Sequence, residues 1–339
     1  MWFELKMVEK KSRISALGWR VLAQLESGGA LSLDDLSHQL TADEAALFNQ
    51  LEHLDRLGVG LTKIANQYRL DTKIERLDET MICHYLSNIG IAYPLKLHIL
   101  NLVDSTNSEA KKLLEDGADS GMVVLAEGQT SGRGRRGNAW ISPYAANIYM
   151  SVVWRFNHPA TLLEGLSLAI GVAVRRAILM SGVEDIGLKW PNDIYVNDKK
   201  LGGILLEVIG DPSVKADVIL GVGINVAMSE RLGRDIDQQW IDLSSVSTSK
   251  VSRNTLAANL IASIFSVLEN FPAVGFAAYR DEWQSADCMR GLPVSISNAR
   301  ETIDGTVLGV DNSGALRLLQ DDGTEKHFIG GEMSLRKQS

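Results

Sequence analysis

The chain has 339 residues, of which 45% are hydrophobic and 22% charged, and its formal net charge is −8. This length allows two or three domains, and the acidic balance excludes a protein that coats nucleic acid or an anionic membrane through bulk electrostatics. The two cysteines, Cys83 and Cys288, lie far apart and in no metal-binding spacing, and neither an apolar leader nor a membrane-length apolar run occurs. These features predict a cytoplasmic protein with two buried thiols and no membrane association.

The first segment of the chain reads as three short helices followed by a hairpin. Residues 12–27 and 33–40 have helical apolar spacing, and Thr41 is the expected N-cap of a third helix. Residues 59–70 alternate as two short strands. This order predicts a winged helix-turn-helix domain over residues 1–77, whose third helix would enter the major groove of DNA.

The charge of this domain argues against strong DNA binding. No lysine or arginine occurs between Thr41 and Asp55, and acidic side chains outnumber basic ones over residues 1–70. Phosphate neutralisation supplies most non-specific DNA affinity. Contacts to the DNA backbone would fall to the wing residues Lys63, Asn66, Gln67 and Arg69. A DNA-binding domain and a helical domain that packs on a neighbour both stay open.

From residue 78 the chain becomes a mixed α/β region. Strands are expected at 96–103, 121–127, 147–154, 194–196, 200–207 and 218–226, and helices at 78–87, 108–115, 162–179, 253–269 and 276–283. Residues 228–251 lack a regular pattern, and a connection of that length inside a domain is usually functional or disordered. We expect a domain over residues 78–288 with helices packed on a central mixed sheet.

The end of the chain carries short alternating runs separated by turn residues. The runs are 293–297, 302–310, 315–319 and 325–329. Their spacing predicts a small β-barrel domain over residues 289–339.

A loop of alternating glycines and arginines lies between two predicted strands. Gly132-Arg-Gly-Arg-Arg-Gly137 combines backbone that can approach a ligand closely with permanent planar cations. Such a loop suits a phosphate or a carboxylate. The same letters fit the dinucleotide fingerprint, but that motif needs a following helix, whereas the strand 147–154 follows here. A solvated basic turn is the other alternative.

Lys189 stands among apolar neighbours in the first arm of an expected hairpin, beside Pro191, with the small pair Gly202-Gly203 opposite. An exposed edge lysine is the simpler interpretation, but the glycines would leave room for a ligand. Together with the arginine loop, this lysine suits attack of a carboxylate on the α-phosphate of ATP, because cations must offset the repulsion between two anions. The product would be a mixed anhydride that a closing loop must protect from water. No P-loop or protein-kinase motif occurs.

With these residues in hand, the chain resembles the bacterial bifunctional biotin–protein ligases that also act as biotin-operon repressors. The resemblance covers essentially the whole chain. It rests on the arginine loop, on the domain order and on the motifs Asp-Ser-Thr-Asn at 104–107, Lys-Trp-Pro-Asn-Asp at 189–193 and Gly-Ile-Asn at 223–225. It implies a winged helix-turn-helix, a class II synthetase-like biotin/lipoate ligase fold and an SH3-like barrel.

The resemblance also implies an activity and a set of site residues. The activity is that of a biotin–[acetyl-CoA-carboxylase] ligase, which forms biotinyl-5′-adenylate from biotin and Mg-ATP and passes the biotinyl group to a lysine of the biotin carboxyl carrier protein. The implied catalytic residues are Lys189, Arg133 and Arg135, and no protein metal ligand is implied. The implied biotin-binding residues are Ser105, Thr106, Asn107, Gln129, Gly132, Arg133, Gly134, Arg135, Lys189 and Gly202. Those implied for ATP or the adenylate are Arg135, Trp140, Asn192, Asn225 and Trp240.

The regulatory members of this family dimerise when they hold biotinyl-5′-adenylate as corepressor, and the dimer binds a palindromic operator. The resemblance therefore implies a homodimer and operator DNA as partners. Three alternatives stay open. The first is a lipoate ligase, a class that shares the fold but lacks the arginine loop. The second is a biotin ligase whose N-terminal domain no longer reads DNA, and the third is a ligand-responsive DNA-binding protein with an inactive catalytic domain.

Overall fold

The described residues form three sheets in sequence order, of three, seven and five strands. The computed structural model describes residues 14–91, 96–157, 159, 163–210, 215–297, 301–330 and 333–337. The first sheet is surrounded by three helices, and these elements are α1 (Ala16–Glu26), β1 (Leu31–Ser32), α2 (Leu33–Leu40), α3 (Glu44–Arg56), β2 (Leu61–Ile64) and β3 (Gln67–Leu70). The predicted helix 12–27 begins outside the described residues.

The cap of the third helix differs from the prediction. Thr41 ends α2 in the left-handed conformation, with φ of 49°. Asp43 is the N-cap of α3, and its carboxylate accepts a hydrogen bond from the backbone N–H of Ala46. An N-cap needs extended backbone, which Asp43 has and Thr41 does not. The prediction that Thr41 caps this helix is therefore wrong.

The N-terminal helices share a core with part of the central region. Tyr144 and Ala145, which follow the arginine loop in the chain, are buried together with the leucines of α1, α2 and α3. An ion pair adds to this contact, because the guanidinium of Arg231 lies 2.7 Å from Asp55 of α3 and 3.5 Å from Asp71. Residues close to the arginine loop are thus held against the N-terminal segment.

The second sheet has the strand order β4-β5-β6-β10-β9-β8-β7. Its elements and those around it are α4 (Glu79–Asn88), β4 (Lys96–Val103), α5 (Thr106–Glu115), β5 (Met122–Gln129), β6 (Asn147–Phe156), α6 (Leu166–Leu179), β7 (Gly187–Lys189), β8 (Asp193–Val196), β9 (Lys199–Ile209), β10 (Ala216–Asn225), α7 (Glu230–Gly233), α8 (Arg253–Val274) and α9 (Arg280–Ser285). Strands β4 and β5 are parallel, and the other neighbours are antiparallel.

Helices cover both faces of this sheet. Val123 and Leu125 of β5 face the main core, in which α6 and α8 lie, whereas Val124 faces the smaller core under α5. Because both faces are buried, these strands read as continuous apolar runs. Among the described residues, one helix, α8, is long and apolar enough to cross a membrane, but most of its residues are buried in the core.

The predicted hairpin around Lys189 consists of three strands. Asn197 and Asp198 form the turn between β8 and β9, with φ of 50° and 58°. Lys189 lies on the separate strand β7, which pairs with β8. Pro191 lacks a backbone donor, which explains why one predicted arm divides into two strands.

Several helix boundaries also shift. Helix α5 starts at Thr106, two residues before the expected position, and α8 continues through Pro272 to Val274. Helix α6 starts at Leu166 behind Gly165, and residue 162 of the predicted helix lies outside the described residues. The irregular segment 228–251 contains α7 and a 3₁₀ turn at Leu243–Ser245.

The third sheet is antiparallel, with the order β14-β13-β12-β11-β15. Its strands are β11 (Pro293–Ser297), β12 (Thr302–Val310), β13 (Leu316–Leu319), β14 (Glu325–Phe328) and β15 (Ser334–Lys337). The sequence predicted the first four strands and missed β15, which pairs with β11. The mixed α/β fold with an antiparallel C-terminal sheet is confirmed.

Candidate active site

The arginine loop leaves β5 and returns to β6 as a narrow, hydrogen-bonded turn. The N–H of Trp140 donates to the carbonyl of Gly132 over 2.9 Å, and the N–H of Gly134 donates to Asn138 over 2.8 Å. A single 3₁₀ turn, Arg135–Gly137, forms the tip, where Arg136 has a φ of 59°. That conformation is uncommon outside glycine and often marks functional segments. The loop is therefore a defined, hydrogen-bonded structure with an exposed tip.

A buried polar pocket lies at the start of α5. Ser105, Thr106 and Asn107 are almost fully buried. The side-chain oxygen of Gln129 accepts a hydrogen bond from the N–H of Thr106 over 2.8 Å, and its amide nitrogen donates to Ser142 over 2.9 Å. The structure thus brings together Ser105, Thr106 and Gln129, which the resemblance implied for the fused ring of biotin, with the adjoining Asn107.

The two predicted catalytic arginines point to different partners. Arg133 donates to the hydroxyl of Ser108 over 3.2 Å and lies 3.8 Å from the carboxylate of Glu207. Arg135 donates to the side-chain oxygen of Asn192 over 3.1 Å. Burial lowers the pKa of Arg135 below its usual value, although the guanidinium remains charged at any physiological pH. Asn192 is therefore joined to the arginine loop.

Lys189 is half-buried and is not an exposed edge residue. Its ammonium donates to the hydroxyl of Tyr195 over 3.1 Å and lies 4.9 Å from the centre of that ring. Burial lowers the pKa of Lys189, and the nearby carboxylate of Asp193 partly offsets this effect. Asp193 also forms an ion pair of 2.8 Å with Lys200, and it interacts electrostatically with Arg135. Three cations thus surround one carboxylate.

Two tryptophans line the neighbouring part of the site. The indole of Trp140 lies against Gly223, where an added Cβ would come within 2.8 Å of the ring. The ammonium of Lys200 lies 5.6 Å from the centre of that ring. The indole N–H of Trp140 is buried and has no hydrogen-bond partner within the part of the chain that the structure describes. An unpaired buried donor is costly, so this N–H marks a place for an acceptor from a ligand or water.

The segment 228–251 passes beside these residues. Trp240 packs on Gly233 of α7 and donates its indole N–H to the carbonyl of that glycine over 3.1 Å. Asn225 donates its side-chain amide to the carbonyl of Ile241 over 3.1 Å. Two residues predicted for the adenylate therefore have partners that belong to this segment.

The structure explains the glycine at position 202 differently from the sequence. An added Cβ at Gly202 would lie 2.5 Å from Ile224 and 2.7 Å from the carbonyl of Gly223. Close packing against β10 requires this glycine, and it does not open ligand space as the sequence suggested. Gly203 instead faces Trp140 and Asp193, since an added Cβ there would lie 3.6 Å from the ring of Trp140 and 3.5 Å from the carboxylate of Asp193. Contact of Gly202 with biotin stays a prediction.

Sequence reasoning missed several polar residues of the site, namely Ser142, Ser151, Asp193, Lys200 and Glu207. Ser151 and Glu207 stand within apolar strands, and a polar residue among such apolar neighbours is the signal that was overlooked. For the described residues, no group of three or more histidine, cysteine or acidic side chains has the arrangement of a metal site.

Comparisons with known families match two parts of the chain. The description "Biotin/lipoate A/B protein ligase family" applies to residues 99–225, and "Biotin protein ligase C terminal domain" applies to residues 293–336. The first range contains the arginine loop, the polar pocket and Lys189. The second range contains the antiparallel C-terminal sheet.

Full-length relatives extend the similarity to the N-terminal segment. The chain is 35% identical to the bifunctional ligase/repressor BirA of Escherichia coli over 318 residues, which is 94% of this chain and 96% of that protein. It is 33% identical to the biotin–[acetyl-CoA-carboxylase] ligase of Paracoccus denitrificans over 259 residues, which is 69% of this chain and 100% of the relative. The biotin protein ligase of Aquifex aeolicus, solved with biotin and ATP, has a TM-score of 0.62 and 28% identity, and the match covers 72% of this chain and 99% of that one.

Proposed function

The chain belongs to the biotin protein ligase family, and from this premise we propose how its site performs the reaction and with which partners. The protein is an ATP-dependent ligase that joins biotin to an acceptor protein. Biotin and ATP first give biotinyl-5′-adenylate and pyrophosphate, and the amine of an acceptor lysine then displaces AMP. The acceptor is the biotin carboxyl carrier protein of acetyl-CoA carboxylase, and the reaction takes place in the cytoplasm.

The buried pocket at the start of α5 binds the fused ring of biotin. A ureido group has one carbonyl oxygen and two N–H groups, and these need fixed polar partners. Ser105 and Thr106 supply hydroxyls at almost fully buried positions, and the half-buried Gln129 supplies an amide. The pocket therefore orients the vitamin with its valeryl chain directed toward the arginine loop.

The arrangement of Arg135, Lys189 and Lys200 around Asp193 is the observation that carries the proposed chemistry. Attack of a carboxylate on the α-phosphate brings two anions together, and preorganised cations offset their repulsion. Lys189 stabilises the biotin carboxylate and the charge that develops on phosphorus, while Arg133 and Arg135 hold the two anionic groups. Mg²⁺ enters with the triphosphate.

The adenine side of the site is formed by Trp140, Asn225 and Trp240. Trp140 offers a half-buried indole face and an N–H without a partner in the described residues. The segment that carries Trp240 packs beside it and shields the adenylate from water. Because the mixed anhydride hydrolyses readily, this cover protects the intermediate until the acceptor lysine arrives.

Mass spectrometry tests this function directly. The protein is mixed with biotin, Mg-ATP and a carrier domain, and we expect the carrier to gain one biotinyl group on a lysine. No gain in mass with folded protein and a competent carrier would contradict the ligase assignment. A gain with lipoate in place of biotin would favour the lipoate alternative.

Repression of a biotin operon is a second function, because relatives similar over most of their length are bifunctional ligase/repressors. We infer that the adenylate promotes formation of a homodimer through the catalytic domains and that this dimer binds operator DNA. The exposed side of α3 tells against tight operator binding, since it presents Glu44, Ala45, Phe48, Asn49 and Glu52 and a single arginine, Arg56, at its end. A gel shift on upstream biotin-gene DNA, with adenylate present and across salt concentrations, distinguishes a repressor from a ligase whose N-terminal domain no longer reads DNA.

A further inference from the structure

Glu207 reaches into the active site from β9 and joins its two halves. One carboxylate oxygen accepts a hydrogen bond of 2.6 Å from the side-chain amide of Asn107. The same oxygen lies 3.8 Å from the guanidinium of Arg133. Asn107 belongs to the buried biotin pocket, and Arg133 belongs to the arginine loop. Glu207 therefore touches both binding elements, although the proposed function gives it no role.

An ionised carboxylate can accept hydrogen bonds but cannot donate them, so Glu207 fixes which end of the Asn107 amide faces it. The amide nitrogen points to Glu207, and the amide oxygen points to Ser151. The hydroxyl of Ser151 lies 2.6 Å from that oxygen and must donate its one proton to it. Ser151 then has only lone pairs left for its next neighbour.

That neighbour is Thr106, whose hydroxyl oxygen lies 2.8 Å from the hydroxyl of Ser151. Because Ser151 has used its proton on Asn107, Thr106 donates its own proton to Ser151. The contact of Thr106 with the oxygen of Gln129, at 3.2 Å, is the longer of the two. The Thr106 oxygen is thus left as an acceptor toward the pocket, which matches a ligand N–H.

We propose that Glu207 is a positioning residue that sets the donor and acceptor polarity of the biotin pocket and restrains Arg133 before substrate arrives. The inference rests on the proposed function, because the N–H that Thr106 accepts is that of the ureido ring. The negative charge of Glu207 attracts Arg133 in the empty site. An arriving carboxylate or phosphate competes for the same guanidinium and draws the loop toward the ligand.

Two substitutions separate the two parts of this role. Glu207→Gln keeps an oxygen that accepts from Asn107 but removes the charge that attracts Arg133. Glu207→Leu removes both, and it leaves a buried amide donor without its partner. Glu115→Gln, at the exposed end of α5, is the matched control.

Calorimetry with biotin and limited trypsin digestion of the arginine loop measure the two effects in the full chain. We expect the biotin Kd to rise about 10- to 100-fold in Glu207→Leu and to change less than about threefold in Glu207→Gln. We expect both variants to be cut faster than the parent within residues 133–136 in the absence of biotin. If Glu207→Leu does not fold, Glu207→Ala, which removes the same acceptor and the same charge, takes its place in both measurements.

Parent-like biotin affinity in Glu207→Leu, or an equal loss in both variants, would overturn the assignment of pocket polarity to Glu207. Parent-like digestion in Glu207→Gln would overturn the restraint of Arg133. Absence of biotin binding by the parent protein would instead contradict the proposed function, so the two failures are distinguishable.

Discussion

Replacing Lys189 by methionine removes one positive charge from the site and leaves most of the side-chain volume in place. The ammonium of Lys189 lies 4.9 Å from the centre of the Tyr195 ring and donates to the tyrosine hydroxyl. Methionine has a similar length and loses the charge and the donor. Lys199→Met is the matched control, because Lys199 is exposed at the turn between β8 and β9.

The size of the effect follows from electrostatics. Two unit charges 4 Å apart interact by about 4 kcal/mol at an effective dielectric constant of about 20. Lys200 and Arg135 remain near Asp193 in the variant and retain part of the field. A loss of about 3 kcal/mol corresponds to a roughly 100-fold slower adenylation, since each 1.36 kcal/mol is about tenfold in rate. Lys199→Met is expected to change the rate less than about twofold.

The acidity of Lys189 adds a pH signature. Burial lowers its pKa below the ordinary value of 10.5, so the ammonium loses its proton at a lower pH than an exposed lysine. Adenylation by the parent should therefore decline on the alkaline side as pH rises through this lowered pKa. Lys189→Met should lack that decline.

Single-turnover formation of biotinyl-adenylate is the assay, with urea unfolding as the check on folding. Because burial lowers the pKa of Lys189 in the folded state, its positive charge reduces the free energy of unfolding at neutral pH. Lys189→Met is therefore expected to be at least as stable as the parent. Equal rates for Lys189→Met and Lys199→Met in folded protein would refute the assignment of Lys189 to the reacting groups.

Three further predictions concern stability and nucleotide binding. Burial raises the pKa of Asp287 to about 6, so its contribution to stability is complete below the ordinary value of 3.8 and is lost as pH rises through about 6. Asp287→Asn should therefore be more stable than the parent at pH 8, by up to about 3 kcal/mol in urea titrations. Near pH 4 the substitution should give no gain. Arg253 pairs with Glu127 over 2.7 Å in the core, so Arg253→Met should lower the free energy of unfolding by about 3–5 kcal/mol, and a fall under 1 kcal/mol would contradict a buried, unrelaxed pair. Trp140→Ala should raise the Kd for ATP by roughly tenfold and leave the biotin Kd within about threefold, as calorimetry would detect; the opposite pattern would move Trp140 to the biotin side.

The sequence was sufficient for the features that have a local cause. Strand β5 was predicted because burial on both faces makes Val123, Val124 and Leu125 apolar without alternation. The arginine loop was recognised because its glycines and arginines recur within a few residues. These patterns need no knowledge of distant contacts.

The sequence was insufficient where distant residues decide the outcome. Thr41 and Asp43 are both acceptable caps, and only the backbone conformation at each position selects Asp43. Glu207 lies within the apolar strand β9, and its importance arises only when the fold brings it to Asn107 of α5. Gly202 looked like ligand space until the register placed Ile224 of β10 beside it.

The central claim is that a cationic loop and a half-buried lysine let two anions react in one pocket. Exchange of labelled pyrophosphate into ATP tests it most directly, because exchange requires reversible formation of the acyl-adenylate. We expect exchange that depends on biotin and Mg-ATP, saturates with biotin and falls roughly 100-fold in Lys189→Met. Exchange that is absent in the parent, or that proceeds equally without biotin, would contradict the account.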